Sequence, residues 1–286
     1  MRAARGFRLR SLAFGIRSLC PNLWAVICLF VASSSVAAMV LVSVEEEIEI
    51  GRAANEQARK QVPEFKDATV TRYVRDVGKR LVRSAPGAKY PYSFAVADLP
   101  EINAFSLPGG PVWINRGVLS RAANESQVAA VLAHEVAHIA RRHGADRLTQ
   151  GMVAKWGLGL LGALLGNTGG AGTTTAAASV LTGGVFLKFN RAEERDADQV
   201  GMTILTRSGW SGRGMVELFQ MLAREAGRGG SSVDAFLSSH PSPQDRIDSL
   251  ATQVKRQNGG SRDSERYRSV KAHLARVVAS RSRDNR

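Results

Sequence analysis

Two histidines four residues apart, with a glutamate beside the first, narrow what this chain can be more than any other feature: His134-Glu135-Val136-Ala137-His138. An α-helix turns about 100° per residue, so positions four apart share a face. Two imidazoles on that face chelate one metal, while Glu135, offset around the helix, reaches a water instead of the metal. A surface pair would sit on a polar face, yet Ala130, Val131, Ala133 and Ala137 keep this part of the helix apolar. The segment therefore asks for a fold with an interior helix that carries a metal site.

A catalytic zinc takes three protein ligands and leaves one position open. Both cysteines, Cys20 and Cys28, fall in an N-terminal apolar stretch, so ligands in the body are His, Asp or Glu. His143 is about half a turn out of phase with His134 on a continuous helix and cannot join the same ion. The longer H-E-x-x-H-x-x-G-x-x-H pattern also fails, because Arg141 and Gly144 occupy its Gly and His positions. Of the other histidines only His240 and His273 remain. The strongest source of a third ligand is the segment 190–198, which carries Glu193, Glu194, Asp196 and Asp198. As a helix it places Glu194, Ala197, Asp198, Gly201, Ile204 and Leu205 on one stripe, mostly apolar or small, that should face the core. Carboxylates on a buried stripe are costly unless a metal or cation compensates them. Glu194 is thus expected as the third ligand, and Asp198 as a partner of a ligand histidine or of substrate. Glu193 and Asp196 are expected to be solvated and to pair with Arg191 or Arg195.

The order of motifs resembles a known family. Asn103-Ala104-Phe105-Ser106-Leu107-Pro108-Gly109-Gly110 is similar to a hairpin before an active helix, and Asn124-Glu125 leads into His134–His138. Arg191–Asp198 matches R-x-x-E-x-x-A-D, and Ser239-His240-Pro241 with Arg246-Ile247 matches H-P-x-x-x-x-R-I. Over about residues 45–250 the chain resembles the zinc metallopeptidases that include the heat-shock protease HtpX, the CAAX prenyl endopeptidases and the periplasmic BepA-like enzymes. It is most like the exported, BepA-like branch, without that branch's helical-repeat extension. The resemblance implies a gluzincin-type α+β domain, mainly helical, with a small sheet or hairpin beside the H-E-x-x-H helix. It also implies one Zn2+ per chain on His134, His138 and Glu194, with Glu135 as general base and Asp198 as a catalytic proton donor. His240, with Arg246 behind it, is expected either to stabilise the oxyanion or to fill and block the open zinc position. The function expected is a zinc endopeptidase acting on exported or misfolded envelope proteins. The alternative is an envelope chaperone or assembly factor with a mostly closed zinc site.

The rest of the chain supports that frame. Arg2, Arg5, Arg8, Arg10 and Arg17 precede a charge-free run from Ser18 to Val44, and Val36 and Ala38 fit the −3 and −1 positions of a cleavage site. Residues 1–44 are read as a signal peptide or retained anchor that delivers the body to the periplasm. The net charge of +14 invites a nucleic-acid reading, but its location opposes it. Five Arg and no acid lie in 1–17, and ten Lys/Arg against three acids lie in 251–286. The nearly neutral body lacks the basic stripe of a duplex binder, so the expected partners are protein or peptide substrates and not nucleic acid. Residues 156–187 carry no charge and are read as two short helices, with membrane contact as the alternative. Helices are expected at 68–84, from 124 to about 143, and at 192–207, 214–225 and 243–254; strands at 92–97, 102–107 and 112–115. Val112–Asn115 is the strand expected to pair with an extended substrate. The basic tail 251–286 sets Tyr267, Val270, Leu274, Val277 and Val278 on one face, as a basic amphipathic helix would, and is expected as a solvated surface helix.

Overall fold

Hydrophobic periodicity and turn chemistry place most elements where they are found. The structure is a computed structural model that describes residues 42–150, 188–228, 231–240, 243–254 and 259–284. Most of the expected leader and all of the stretch 156–187 lie outside the described residues, which fall in one compact unit, Val40–Arg286. Among them no helix is long and apolar enough to cross a membrane.

Helix α1 (Val44–Gln61) opens with a capping box: the Ser43 side chain accepts from the Glu46 amide, and Glu46 accepts from the Ser43 amide. Helix α2 (Ala68–Val82) is capped by Asp67, whose carboxylate accepts from the amides of Thr69 and Val70. It buries Val70, Tyr73, Val74, Val77 and Leu81. Three strands follow, β1 (Ser93–Ala97), β2 (Ala104–Ser106) and β3 (Pro111–Asn115), in the order β1-β3-β2. β1 runs parallel to β3, with Ser93 opposite Pro111, and β2 antiparallel, with Ala104 opposite Ile114. The β2–β3 turn needs glycine twice, since Gly109 and Gly110 have φ of 73° and 131°. A Cβ on Gly109 would also come within 2.4 Å of the Glu47 carbonyl oxygen, so α1 rests directly on this turn.

β3 is the central strand, paired on both sides, so the expectation that Val112–Asn115 receives a substrate strand is overturned. The outer edge of β1 is covered as well, because Phe65 donates to Val96 O at 2.8 Å and Asp98 donates to Pro63 O at 2.7 Å.

After the short α3 (Arg116–Arg121), helix α4 (Glu125–Ala140) runs through the centre with every residue buried. A helix that is apolar nearly all round needs cover on all sides. It receives that from α2, the sheet, α5 (Arg191–Arg207) and α6 (Arg213–Gly227). Contrary to expectation α4 does not reach His143. It ends at Ala140, Arg142 takes a left-handed φ of 60°, and residues 143–150 begin a new helical stretch. The short α7 (Asp234–Ser239) leads to His240, and α8 (Pro243–Val254) carries Arg246. The final helix α9 (Glu265–Asp284) is no solvated appendage: Tyr267, Val270 and Leu274 are buried against the body. The Tyr267 hydroxyl lies 3.0 Å from Leu119 O and 2.8 Å from Ala122 O. Burying this stripe offsets the cost of ordering a basic helix.

Candidate metal centre

Helix α4 presents His134 and His138 one turn apart, with their Nε2 atoms 3.0 Å from each other. Helix α5 supplies the carboxylates. A capping box between Asn190 and Glu193 starts it, which sets Glu194 in the first turn. The two helices approach closely at Gly201, where an added Cβ would lie 3.2 Å from Ala133 O and His134 Cα. That approach brings Glu194 to the imidazoles: Oε1 is 3.4 Å from His138 Nε2, and Oε2 is 3.5 Å from His134 Nε2. Asp198, one turn on, places Oδ1 3.2 Å from His134 Nδ1, on the side of the ring away from the cluster. His240 enters from the end of α7, with Nδ1 2.8 Å from Glu194 Oε1 and 3.4 Å from His134 Nε2. Donor atoms of His134, His138, Glu194 and His240 all lie within 4.8 Å of one another, and all four residues are buried. Of the two other histidines, His143 stands beside His138, and His273 lies elsewhere and pairs with Asp67 at 2.9 Å.

Arg246 organises the acidic side. Its Nε and Nη2 each donate to Asp198 at 2.7 Å, and Nη1 lies 2.7 Å from Glu194 Oε2. Its guanidinium carbon sits 4.1 Å from the Phe219 ring centroid. Burial alone would raise the Asp198 pKa, but Arg246 and His134 hold it below the usual carboxylate value. Glu194 is likewise held down against burial by His240, His134 and His138. The two α4 imidazoles diverge. Burial disfavours the charge on His134, but Asp198 and Glu194 outweigh it and lift the pKa to about 9. Burial keeps His138 well below its ordinary value.

These residues fit a divalent cation. Glu135, Glu194 and Asp198 are buried together, and Arg246 is the one permanently charged cation that touches them, so three carboxyl groups face a single guanidinium. Glu135 Oε1 is also buried without a hydrogen-bond partner. Two imidazoles and a carboxylate are the donor set of zinc.

The structure brings together every residue expected at the site, Glu135 included. Two expectations nearby are corrected. Glu193 is not solvated: it closes the α5 capping box and pairs with Arg147. Asp196 pairs with neither Arg191 nor Arg195 but with Arg141 at 2.6 Å and His143 at 3.1 Å. Residues far off in sequence complete the surroundings. Ser106 on β2 donates to Glu135 Oε2 at 2.9 Å, and Phe189 stacks on the His138 ring at 3.8 Å. Glu125, buried at the start of α4, accepts from Tyr73 at 3.2 Å and Trp210 at 3.0 Å. No local pattern marks a serine or phenylalanine for such a place. The position of Ser106, in the strand of a hairpin expected beside the active helix, was the nearest available signal.

Comparison with known proteins agrees with this geometry. The model of peptidase family M48 matches residues 68–254, which include all four clustered donors. The beta-barrel assembly-enhancing protease of Escherichia coli K12 is 32% identical over 213 residues, covering 72% of this chain and 43% of that protein. The protein of the same name from Yersinia pestis is 31% identical over 212 residues, with the same coverage of 72% and 43%. The mitochondrial metalloendopeptidase OMA1 of Schizosaccharomyces pombe is 29% identical over 208 residues, 71% of this chain and 59% of that protein. The chain thus spans less than half the length of these bacterial relatives. With the match extending from α2 through α8, the chain belongs to peptidase family M48.

Proposed function

We propose that the protein is a zinc-dependent endopeptidase in which His134, His138 and Glu194 hold the metal and Glu135 is the general base. The observation that carries this reading is the convergence of two α4 imidazoles and an α5 carboxylate on one buried point, with Glu135 Oε1, which has no hydrogen bond and lies 3.6 Å from His240 Nε2, in the same cluster. When bound, zinc would supply Lewis acidity, activating a water and polarising the scissile carbonyl. Glu135, oriented by the Ser106 hydroxyl, takes the proton of the attacking water and returns it to the leaving amine. Asp198 holds His134 through Nδ1, and Arg246 fixes Asp198 and Glu194 together. The substrates proposed are exported or misfolded envelope proteins, in line with the leader-like N-terminus and with relatives named for β-barrel assembly. The test is casein cleavage by the full chain with and without a chelator. Cleavage that stops on chelation and returns with zinc supports the reading; cleavage indifferent to chelation contradicts it.

A second reading has its own support. His240 is buried against Glu194 and could take the position that a substrate needs. A site held closed in this way suits an envelope chaperone or assembly factor that cleaves rarely. Glu135→Gln separates the readings: it complements a deletion strain if binding is the function and fails if cleavage is.

A further inference from the structure

His143 is a buried imidazole that the peptidase reading leaves without a task. It stands behind a metal ligand. Its Nδ1 is 3.0 Å from His138 Nδ1, and its Nε2 is 3.1 Å from Asp196 Oδ2. On a continuous helix it would point elsewhere. It reaches His138 because α4 stops at Ala140 and Arg142 turns left-handed, with φ 60°, the one non-glycine positive φ among the described residues. The far end of Arg142 is tied down: its Nε donates to Glu47 Oε2 at 3.0 Å, and its Nη2 donates to the Val42 carbonyl. Tyr90 also donates to Glu47 Oε2, at 2.9 Å.

The protons of this chain of groups follow from donor and acceptor counting. A histidine that gives Nε2 to a metal keeps its proton on Nδ1 and must donate it. The atom facing His138 Nδ1 is His143 Nδ1, which can accept only if its own ring proton is on Nε2. That proton then points at Asp196 Oδ2, an acceptor. The opposite tautomer of His143 would set two N–H groups head to head. We infer that His143 is a positioning residue for the metal ligand His138: it accepts the Nδ1 proton of His138 and so holds Nε2 toward the metal, while Asp196 fixes the tautomer of His143. The two imidazole ligands are thereby held differently, His134 directly by a carboxylate and His138 through an intervening imidazole. The inference rests on the metal centre proposed above.

The experiment measures zinc affinity by chelator competition on the full chain, and ring nitrogen protonation by 15N NMR of the zinc-loaded protein. Outer partners of metal-ligating histidines typically contribute about 10–100-fold in affinity. His143→Leu should weaken zinc binding within that range. His143→Gln, whose amide oxygen can accept from His138, should recover most of it, which a purely space-filling role would not produce. Asp196→Ala, at a partly exposed position, should weaken zinc several-fold and reduce the preference for protonated Nε2 on His143. In the parent, His143 should show a protonated Nε2 and a bare Nδ1. A parent that binds zinc as tightly as His143→Leu, or that carries the His143 proton on Nδ1, overturns the inference alone. A parent that takes up no zinc overturns the metal centre with it.

Discussion

At the residue scale the chemistry divides between a group that moves a proton and groups that hold the metal. Glu135 is buried, takes one hydrogen bond from Ser106, and has its second oxygen 3.6 Å from His240 Nε2 without a hydrogen bond. Glu135→Gln removes the base but keeps the shape, so it should lower peptide cleavage by about 10²–10⁴-fold and leave zinc content at one per chain, read by metal analysis beside a casein assay. Glu194→Ala removes a ligand and leaves Arg246 without one of its carboxylates. It should weaken zinc by more than the roughly 10–100-fold seen for outer partners, measured by chelator competition. The spacing of His134 and His138 and the apolar stripe around Glu194 make these three legible from the chain alone. The partners of Asp196 were not legible. They depend on a backbone reversal at Arg142, and nothing in Arg-Arg-His announces a left-handed residue in a run that otherwise continues a helix.

At the element scale one close contact holds the site and one buried stripe holds the last helix. Gly201 lets α5 lie against the His134 turn of α4. Gly201→Ala should destabilise the protein by about 1–3 kcal/mol through overpacking, seen as a lower urea midpoint, and should also loosen zinc by moving Glu194. Helix α9 is the other case. Its apolar spacing is readable, but a basic, half-apolar helix is expected to be solvated until the surface that covers it is known, and here Tyr267, Val270 and Leu274 are buried. Leu274→Ala should cost about 2–5 kcal/mol if α9 is part of the core; a change under about 0.5 kcal/mol would mean it is not. The α2–α9 seam also carries Asp67–His273 and Asp76–Arg266 pairs. Burial works against the Asp67 carboxylate, yet backbone amides and His273 bring its pKa below the ordinary value; Arg266 lowers that of Asp76. These groups bind protons more readily unfolded than folded. Their contribution is therefore complete above the unfolded pKa of about 3.9 and is lost as pH falls through the lower folded values. Acid titration of the urea midpoint should show this loss below about pH 4, smaller in Asp67→Asn/Asp76→Asn.

At the scale of the whole molecule the fold gathers groups from β2, α4, α5, α7 and α8 around one interior point, while the net charge of +14 has its main concentrations near the two ends of the chain. The sequence motifs are the parts of those elements that meet, which is why so much of the centre could be read before the fold was known. The sheet order could not be read that way: the β2–β3 hairpin is local, but the parallel pairing of β1 with β3 depends on a crossover that no short pattern encodes. The central claim is that this interior point is a zinc site, and anomalous X-ray scattering at the zinc edge from crystals of the zinc-loaded full chain tests it most directly. The account predicts a single peak per chain, about 2.0–2.2 Å from His134 Nε2, His138 Nε2 and a Glu194 carboxylate oxygen. A peak bound by other residues, or no peak at this cluster in zinc-loaded protein, would contradict it.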